Sequence, residues 1–454
     1  MGPDYRRVEL SGWGRTSPTA ALLAEVSAAD VAEHLKDSSG RGILVRGLGR
    51  SYGDAAQNAG GDVLACAGID DIEVIDAARG LVRVGAGASI AALLDALLPL
   101  GWFPMVVPGT SLVSVGGAIA SDIHGKFRHG CFSDAVEAID LVAPATGPAE
   151  CRPGDDAFRA TAGGMGLTGV ITGATLRCQE VETAFMVSDS EQVPDVDECM
   201  RRMLEGDRDY RYSVAWIDCM ASGASLGRSV LTRGNHATID DLPARRRDTP
   251  VRRGPHPTLT APAWLPSGLL NAATVRAFNE VWFRRAPTHR RRYVEHLSAF
   301  FFPLDGVREW NRVYGPRGLL QYQFVVPYGE ERVIRTALER LSAVRAPSFL
   351  AVLKRFEHDS SSLLGFPMEG WTLALDVPAA GEDLARLLDD LDELVVGAGG
   401  RVYLTKDARL RPELLAEMYP RLAEWRAVRD ALDPRGVMCS DMDRRLDLTG
   451  RGNR

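Results

Sequence analysis

Four polar side chains have the residue types and the spacing that proton transfer and hydroxyl binding require. His124 lies in the segment SDIHGK, Lys406 lies in VYLTKDAR, and Gln321 and Gln323 stand two apart in LLQYQF. Residues two apart on a strand point to the same face, and histidine and lysine are common proton carriers. The plainer alternatives are a packed histidine, a surface lysine and a cross-strand ladder of amides. All four are therefore candidates for one site.

A further lysine lies where an anion could bind. Lys354 interrupts the apolar segment FLAVLKRF (349–356), and a buried ammonium there needs a partner, for which a phosphate group is suitable. Tyr314 and Trp216 are also candidates, although core packing explains each aromatic side chain equally well. A substrate phosphate is therefore one hypothesis for the partner of Lys354.

Three glycine-rich segments indicate close contact with a flat or charged ligand. They are VRGLGRSYGDAAQN (45–58), VPGTSLVSVGGAIASDIHG (107–125) and AGGMGLTG (162–169). Glycine lets main-chain N–H groups approach a phosphate, and the second segment has few side chains that could pack in a core. The third matches the dinucleotide fingerprint GxGxxG, but a strand follows it where that fingerprint requires a helix. A Rossmann dehydrogenase is therefore disfavoured.

The elements that must position these residues change along the chain. Residues 42–176 predict short strands alternating with short helices, because β-branched runs are cut by turn residues. Residues 184–400 contain long apolar strands and amphipathic helices, which predict an antiparallel sheet with helices on one face. The last part, 401–454, returns to short motifs and contains a predicted helix around 412–432. The fold class is accordingly α+β.

Composition excludes several classes of function. The net charge of −7 over 454 residues gives no reason to expect nucleic acid as a partner. Seven cysteines lack metal-site spacing, so no metal is expected. The sequence contains neither a signal peptide nor an apolar run of about 18 residues, which predicts a cytoplasmic protein, soluble or peripheral at a membrane.

One segment has an unusual charge. Between Arg245 and Arg292 there are eleven arginines against two acidic residues, Asp248 and Glu280. Two interpretations stay open. The segment is either a solvated, mobile surface loop or a lid whose guanidinium groups meet a phosphate or an anionic membrane surface.

The glycine segments, in this order and spacing, resemble those of the vanillyl-alcohol oxidase (PCMH-type) family of FAD flavoproteins. Within that family the chain looks most like the decaprenylphosphoryl-ribose oxidases, through RGLGRSYGDAAQNAGG, GGAIASDIHGK, GGMGLTG, EWNRVYGPRGLLQYQFVVP, FPMEGW and MYPRLAEW. The resemblance implies a two-domain fold. Residues 1–183 and 401–454 would form the FAD-binding domain, and 184–400 would form a substrate domain built on an antiparallel sheet.

The resemblance also implies how FAD is held. Many members attach FAD through a histidine in the first glycine loop, but here that position is Arg50, and segment 107–125 contains no cysteine. We therefore expect FAD without a covalent link. The implied cofactor-binding residues are Arg46, Gly47, Leu48, Gly49, Arg50, Ser51, Tyr52, Asn58, Gly109, Thr110, Val115, Gly116, Gly117, Ala120, Ile123, His124, Gly125, Gly169, Val170, Ile171, Tyr403 and Lys406.

The implied activity is oxidation of a ribofuranosyl 2′-hydroxyl to a 2′-ketone on a phosphate-linked, polyprenyl carrier. A separate NADH-dependent reductase would complete the epimerisation, and the electron acceptor stays open. In this interpretation the catalytic residues are Lys406, His124 and Gln323. The substrate-binding residues are Gln321, Gln323, Lys354, Tyr314 and Thr372.

The segment GWTLALDV (370–377) departs from the family pattern. Thr372 and Ala374 stand where the relatives it most resembles have asparagine and cysteine. This leaves open a flavin oxidase or dehydrogenase of a soluble nucleoside, nucleotide sugar or alditol. A non-enzymatic flavin-binding protein is a third possibility, which retention of Lys406, His124 and both glutamines disfavours.

Overall fold

The computed structural model describes residues 5–36, 40–252, 254, 259–379 and 381–452. Three large sheets and one short ribbon account for all the named strands of this part of the chain. Short strands and short helices alternate from residue 43 to residue 180, as the sequence predicts for residues 42–176. The part of the chain that is described contains no helix long and apolar enough to cross a membrane.

The first sheet has four strands in the order β1-β2-β4-β3. Strands β2 and β3 both run parallel to β4, so the end of β3 leads directly into the first glycine segment. Buried apolar side chains from this sheet and from α1 form a small core beneath it. The elements are β1 (Arg6–Leu10), β2 (Thr19–Glu25), α1 (Val31–His34), β3 (Ile43–Arg46) and β4 (Asp62–Ala65).

The second sheet has six antiparallel strands, and β10 lies in its centre between β6 and β8. The third glycine segment runs straight into β10, which confirms that no helix follows it. Helix α3, from the second glycine segment, packs on β6 and β10. The elements are β5 (Ile72–Asp76), β6 (Leu81–Gly85), α2 (Ile90–Leu97), β7 (Trp102–Pro104), α3 (Val115–Ala120), β8 (Val136–Ala143), β9 (Gly147–Cys151), α4 (Asp156–Thr161) and β10 (Val170–Glu180).

The third sheet has eight strands in the order β15-β11-β13-β12-β18-β19-β17-β20, and all its pairs are antiparallel. This agrees with the predicted antiparallel sheet. Its strands are β11 (Phe185–Val193), β12 (Tyr212–Ile217), β13 (Ser229–His236), β15 (His289–His296), β17 (Leu319–Pro327), β18 (Ala351–Phe356), β19 (Gly370–Pro378) and β20 (Arg401–Val402). A short parallel ribbon pairs β14 (Leu259–Thr260) with β16 (Val307–Arg308).

Three amphipathic helices cover one face of the eight-stranded sheet. They are α5 (Val196–Gly206), α9 (Glu331–Ala343) and α10 (Glu382–Gly397), and their buried side chains share a single apolar core with that face. In α9 the buried residues follow the helical period, at 333, 334, 337, 338 and 341. The other face of β17, β18 and β19 is left free to carry polar side chains.

The C-terminal part corrects one predicted helix. Instead of one helix around 412–432, the chain forms α11 (Leu415–Met418) and α12 (Leu422–Leu432), with α13 (Asp441–Leu446) after them. Pro420 explains the break, because proline has no N–H to donate within a helix. Beyond α12 the chain returns to the first sheet, where Ile43 N donates to Val437 O at 2.8 Å.

The division into two domains stays a prediction. Strand β20 lies just past the predicted boundary at residue 400 and pairs with β17 in the eight-stranded sheet. The return of the last part of the chain to β3 is compatible with a first domain assembled from both ends of the sequence.

The Arg-rich segment is not one continuous loop. Its described residues include α6 (Ala244–Arg247), α7 (Ala272–Arg285) and the start of β15, followed by α8 (Leu297–Phe301). Residues 253 and 255–258 lie outside the described residues. Regular structure at both ends of the segment replaces the loop there, and both the mobile-loop and the lid interpretations of the stretch between α6 and α7 stay open.

Candidate active site

A deep cleft lies between the glycine segments and the free face of the eight-stranded sheet. Most of its lining comes from four parts of the chain: residues 45–56, residues 108–126, residues 301–310 and the facing strands β17, β18 and β19. The turn after β20 closes it with Tyr403, Thr405 and Lys406. Every motif with candidate chemistry therefore contributes to one cleft.

The first glycine loop is held against the turn after β20. Tyr52 N donates to Thr405 O at 3.0 Å, and a methyl group on Gly53 would overlap the carbonyl oxygen of Asp407. Arg50 lies with its guanidinium carbon 4.0 Å from the ring centre of Trp13, and its Nε donates to Leu112 O at 3.2 Å. The loop thus presents main-chain groups and a cation to the cleft.

The second glycine segment lies directly against the first. Ser114 begins α3, and its Oγ accepts a hydrogen bond from Gly117 N at 3.3 Å. A methyl group on Gly47 would overlap that same Oγ, and one on Gly116 would come within 2.9 Å of Ala86 Cβ. Only residues without side chains allow this close approach, which leaves a floor of backbone beside the cation of Arg50. This arrangement suits a flat cofactor with phosphate groups.

A chain of polar contacts crosses the free face of the sheet. Lys354 Nζ lies 3.0 Å from His124 Nδ1 and donates to Gly125 O at 2.8 Å. On the other side of the ring, Gln323 Nε2 lies 3.1 Å from His124 Nε2 and donates to Thr372 Oγ1 at 3.2 Å. The strand register explains the arrangement, because Lys354 is directly opposite Thr372 on the neighbouring strand.

His124 is a neutral imidazole at neutral pH. Burial lowers its pKa well below the ordinary value, and the positive charge of Lys354 lowers it further. A neutral ring accepts at one nitrogen and donates at the other. When Lys354 is an ammonium, Nδ1 must accept and Nε2 must donate, which requires Gln323 to turn its amide oxygen toward the ring.

Lys354 is poised to change its charge near neutral pH. Burial lowers its pKa to about 7, and the nearby charges of Lys406 and Lys126 act in the same direction. Lys126 is partly buried, desolvation lowers its pKa to about 8, and it donates to Phe300 O. An anion entering the cleft would favour the charged form of both lysines.

A second polar group surrounds Lys406. Its Nζ lies 4.1 Å from the ring centre of Tyr52. Burial lowers the pKa of Lys406, and the carboxylate of Asp376 opposes that change. Burial also raises the pKa of Asp376, while a hydrogen bond from Gln321 and the charge of Lys406 act against the rise. Among the described residues, none donates a hydrogen bond to Asp376 Oδ2.

Most of the residues predicted from the sequence line this cleft. The lining includes the catalytic candidates Lys406, His124 and Gln323 and the substrate candidates Gln321 and Lys354. It also includes these cofactor candidates: Gly47, Leu48, Gly49, Arg50, Ser51, Tyr52, Gly109, Thr110, Gly116, Gly117, Ala120, Ile123, Gly125, Gly169, Ile171 and Tyr403.

Six predicted residues are not part of the lining, and their direct contact with cofactor or substrate stays a prediction. Four of them hold the loops: Arg46 donates to Ala56 O and Ser11 O, Asn58 Nδ2 donates to Gly42 O and Asp62 O, Val115 N donates to Ala88 O, and Val170 pairs with Val142. The other two, Tyr314 and Thr372, are buried. Tyr314 stacks on Phe349, and Thr372 reaches the cleft only through Gln323. Trp216 also lies outside the lining and donates to Phe349 O at 3.0 Å.

Several lining residues were missed. Trp13, Lys126, Asp305 and Arg308 all face the cleft, and Asp376 stands behind it. Lys126 directly follows the glycine segment, and Asp376 is a carboxylate within an apolar strand, the same signal that singled out Lys354. For Trp13, Asp305 and Arg308 the sequence offers no local signal, because long-range pairing brings them to the cleft.

The cleft joins a glycine-built cradle, a neutral imidazole and buried lysines of lowered pKa. This combination is suited to a cofactor-dependent oxidoreductase. The family models agree: residues 19–150 match an FAD-binding domain, and residues 381–446 match a D-arabinono-1,4-lactone oxidase domain.

Known proteins resemble the chain along its length. It is 40% identical to decaprenylphosphoryl-β-D-ribose oxidase of Mycolicibacterium smegmatis, over 97% of each chain. It is 38% identical to an uncharacterised Streptomyces coelicolor protein, over 78% of this chain and 99% of that one. It is 26% identical to alditol oxidase of a Streptomyces species, over 91% and 93%. The chain belongs to the decaprenylphosphoryl-β-D-ribose oxidase family and is an FAD-dependent oxidoreductase with a PCMH-type FAD-binding fold.

Proposed function

We propose that the chain oxidises the 2′-hydroxyl of a ribofuranosyl group to a 2′-ketone on a phosphate-linked polyprenyl carrier, as the first half of an epimerisation. The observation that carries this proposal is the row formed by Lys354, His124 and Gln323 on the free face of the sheet. It offers a cation for the phosphate beside hydrogen-bonding groups for a sugar. The near full-length similarity to a decaprenylphosphoryl-β-D-ribose oxidase supports the same substrate.

FAD would be held by the two glycine loops, with Arg50 facing its phosphates. When bound, FAD supplies the site that accepts the hydride from the carbinol carbon. Because an arginine occupies the position of the histidine that links FAD in many relatives, we propose that binding is non-covalent. In the domain division we propose, residues 1–183 and 401–454 bind FAD and residues 184–400 bind the substrate.

The substrate would be placed by groups on strands β17 and β18. Lys354 would pair with the phosphodiester, since its ammonium is buried and its present contacts are neutral. Gln321 and Gln323 lie on the same face and would accept and donate hydrogen bonds to the ribose hydroxyls. Thr372 would act indirectly, by fixing the amide of Gln323.

Lys406 is the best placed proton carrier. Both ring nitrogens of His124 already contact Lys354 or Gln323, so the imidazole is better suited to orienting these groups. Lys406 has its pKa lowered toward neutrality by burial, which makes a neutral amine accessible. It would accept the hydroxyl proton as the hydride leaves, with Asp376 stabilising the resulting ammonium.

This function implies partners that act in sequence. An NADH-dependent keto-reductase would consume the 2′-ketone, and an electron acceptor would reoxidise the flavin. Because a polyprenyl carrier resides in a bilayer, we infer a cytoplasmic protein with peripheral membrane contact.

A second candidate is oxidation of a soluble alditol, nucleoside or nucleotide sugar. Ala374 faces the cleft and opens space where the relatives it resembles carry a larger cysteine side chain. The similarity to an alditol oxidase also favours this candidate.

Flavin retention and substrate choice test these proposals. The purified protein should be yellow, and acid precipitation should release the colour into the supernatant. Under air, a farnesylphosphoryl-β-D-ribose should yield a product two mass units lighter, while xylitol and adenosine should not react. Colour that stays in the pellet would contradict non-covalent binding. Turnover of xylitol alone would favour the second candidate function, oxidation of a soluble alditol.

A further inference from the structure

Six large apolar side chains are exposed beside the cleft, and we call them the apolar rim. The most exposed are Trp264 (78%), Leu259 (67%) and Trp282 (51%). The complete set is Leu259, Trp264, Leu269, Phe278, Val281 and Trp282. A soluble surface carries single exposed apolar residues, but two exposed tryptophans among four further apolar side chains mark a binding surface.

Part of the apolar rim borders the entrance to the cleft. Leu259 pairs with Val307 in the short ribbon, and Ala261 N donates to Arg308 O at 2.9 Å. Both Val307 and Arg308 line the cleft. A little further on, Leu270 packs against the cluster of Tyr52 and Tyr314 beneath the first glycine loop. The rim is therefore anchored to the cleft wall through backbone pairing.

The rest of the rim follows the outer face of α7. Its inner face is fixed by Val275 and Asn279, which are buried, and Asn279 Nδ2 donates to Asp218 Oδ1 at 2.8 Å. Positions 278, 281 and 282 have the three- and four-residue spacing of one helical stripe, which flanks the buried face. Phe278 and Trp282 stack with ring centres 6.0 Å apart. Phe278 also contacts Phe349 and Trp282 contacts Trp216, yet Phe278, Val281 and Trp282 each stay about half exposed, which is more than these contacts cover.

Arginine dominates the charge around the rim. From residue 259 to residue 292 the sequence has six arginines and one acidic residue, Glu280. That carboxylate is already paired with Arg228 and Arg284. The arginines are Arg276, Arg284, Arg285, Arg290, Arg291 and Arg292, of which Arg284 pairs with Glu280 and Arg292 with Asp241, and Arg308 adds another cation at the cleft. The surface is thus both apolar and positive.

We propose that the apolar rim and these arginines dock the protein on an anionic lipid bilayer, with the mouth of the cleft beside the membrane surface. Tryptophan is favoured at the interface between headgroups and acyl chains, where its ring is apolar and its N–H is wet. Arginine is attracted to anionic headgroups, which strengthens binding by roughly fivefold for each residue near the surface. The inference rests on the proposed function, because a polyprenyl carrier would then stay in the bilayer while its sugar enters the cleft.

Vesicle sedimentation of the FAD-loaded protein tests the docking surface. Vesicles of phosphatidylcholine with 30% phosphatidylglycerol, a composition of roughly the anionic content that attracts basic surfaces, should bind the protein. Binding should weaken with added salt and with pure phosphatidylcholine. The Trp264→Ser, Trp282→Ser double variant should bind at least tenfold more weakly. A matched control replaces Leu100 and Leu204, which are 55% and 50% exposed and lie outside the rim, by serine and should bind normally.

Three results would overturn the proposal. The first is equal vesicle binding by the double variant and the unchanged protein. The second is no binding to anionic vesicles at all. The third is the formation of a concentration-dependent dimer by the natural protein, without vesicle binding, that the double variant loses. Analytical ultracentrifugation would measure it, and the rim would then join two copies of the chain.

The substrate assay separates this inference from the proposed function. In detergent micelles the double variant should oxidise farnesylphosphoryl-β-D-ribose at the unchanged rate, because neither tryptophan lines the cleft. Vesicle binding through the rim without turnover of any phosphoribosyl prenol would refute the proposed substrate and leave docking intact. Turnover in micelles without vesicle binding would refute docking and leave the substrate intact.

Discussion

The affinity for a phosphodiester substrate should fall steeply as the pH rises through neutrality. Burial lowers the pKa of Lys354 to about 7, so this lysine loses its charge over a range in which a phosphodiester keeps its own. The group is protonated below its pKa and neutral above it. Only the ammonium can pair with the phosphate.

The size of the effect follows from that pKa. About nine tenths of Lys354 is charged at pH 6 and about one tenth at pH 8, given the pKa of about 7. The dissociation constant should therefore rise about tenfold over these two pH units, or about 1.4 kcal/mol. A 2-deoxyribosyl phosphoryl farnesol, which lacks the oxidisable hydroxyl, permits the measurement from the change in flavin absorbance at each pH.

Two variants identify the responsible lysine. Lys354→Met should flatten the profile and leave binding weak throughout. Lys126→Met should keep the inflection and move it to higher pH, because the charge of Lys126 lowers the pKa of Lys354. Because the pKa of Lys126 is about 8, an inflection near pH 8 that Lys126→Met removes would assign the phosphate to that lysine. An unchanged dissociation constant from pH 6 to pH 8 in the natural protein would refute the reasoning.

Three further outcomes are expected. Gly53→Ala should lose bound FAD and unfold at lower temperature, since its methyl group would overlap the backbone of Asp407. Gly68→Ala has open space around the new methyl group and should do neither. Thermal unfolding and flavin absorbance measure both effects. Asp376→Asn should lower the pKa of Lys406, because a carboxylate that favours the ammonium is removed, so the inflection in the rate of flavin reduction should move to lower pH; an unmoved inflection would contradict the pairing. Ala374→Cys should place a reactive thiol in the cleft. Intact mass should then show one added equivalent of a thiol-directed inhibitor on the variant and none on the natural protein, which checks the alignment at this position.

Much of the site could be predicted because its chemistry is concentrated in short segments. Glycine runs restrict what a loop can do, and a charged residue in an apolar strand needs a partner, which singled out Lys354 correctly as a buried lysine. The same argument applies to Asp376, but GWTLALDV is buried on both faces of its strand. Its sequence therefore shows no alternation, and the carboxylate was overlooked.

The remaining residues depend on contacts between distant segments. Arg308 reaches the cleft because β16 pairs with β14, some fifty residues earlier. Asp305 is held there by Thr110 and by the backbone N–H of Ser111. Neither contact leaves a local pattern, since the partners are far apart and their residue types are ordinary. The break at Pro420, by contrast, could be predicted from the sequence, because a proline at this position interrupts a helix.

The contacts that join the first glycine loop to the last part of the chain set the order in which the protein can mature. Tyr52 meets Thr405, Asp54 forms two hydrogen bonds with Arg445 at 2.7 and 2.8 Å, and Ile43 meets Val437. A ribosome makes the loop early and these partners about 350 to 390 residues later. The FAD-binding loops of the growing chain therefore stay incomplete until synthesis is almost finished. Flavin capture is then a late event in biogenesis, and a chain interrupted before residue 405 would remain colourless even if its large sheet had folded.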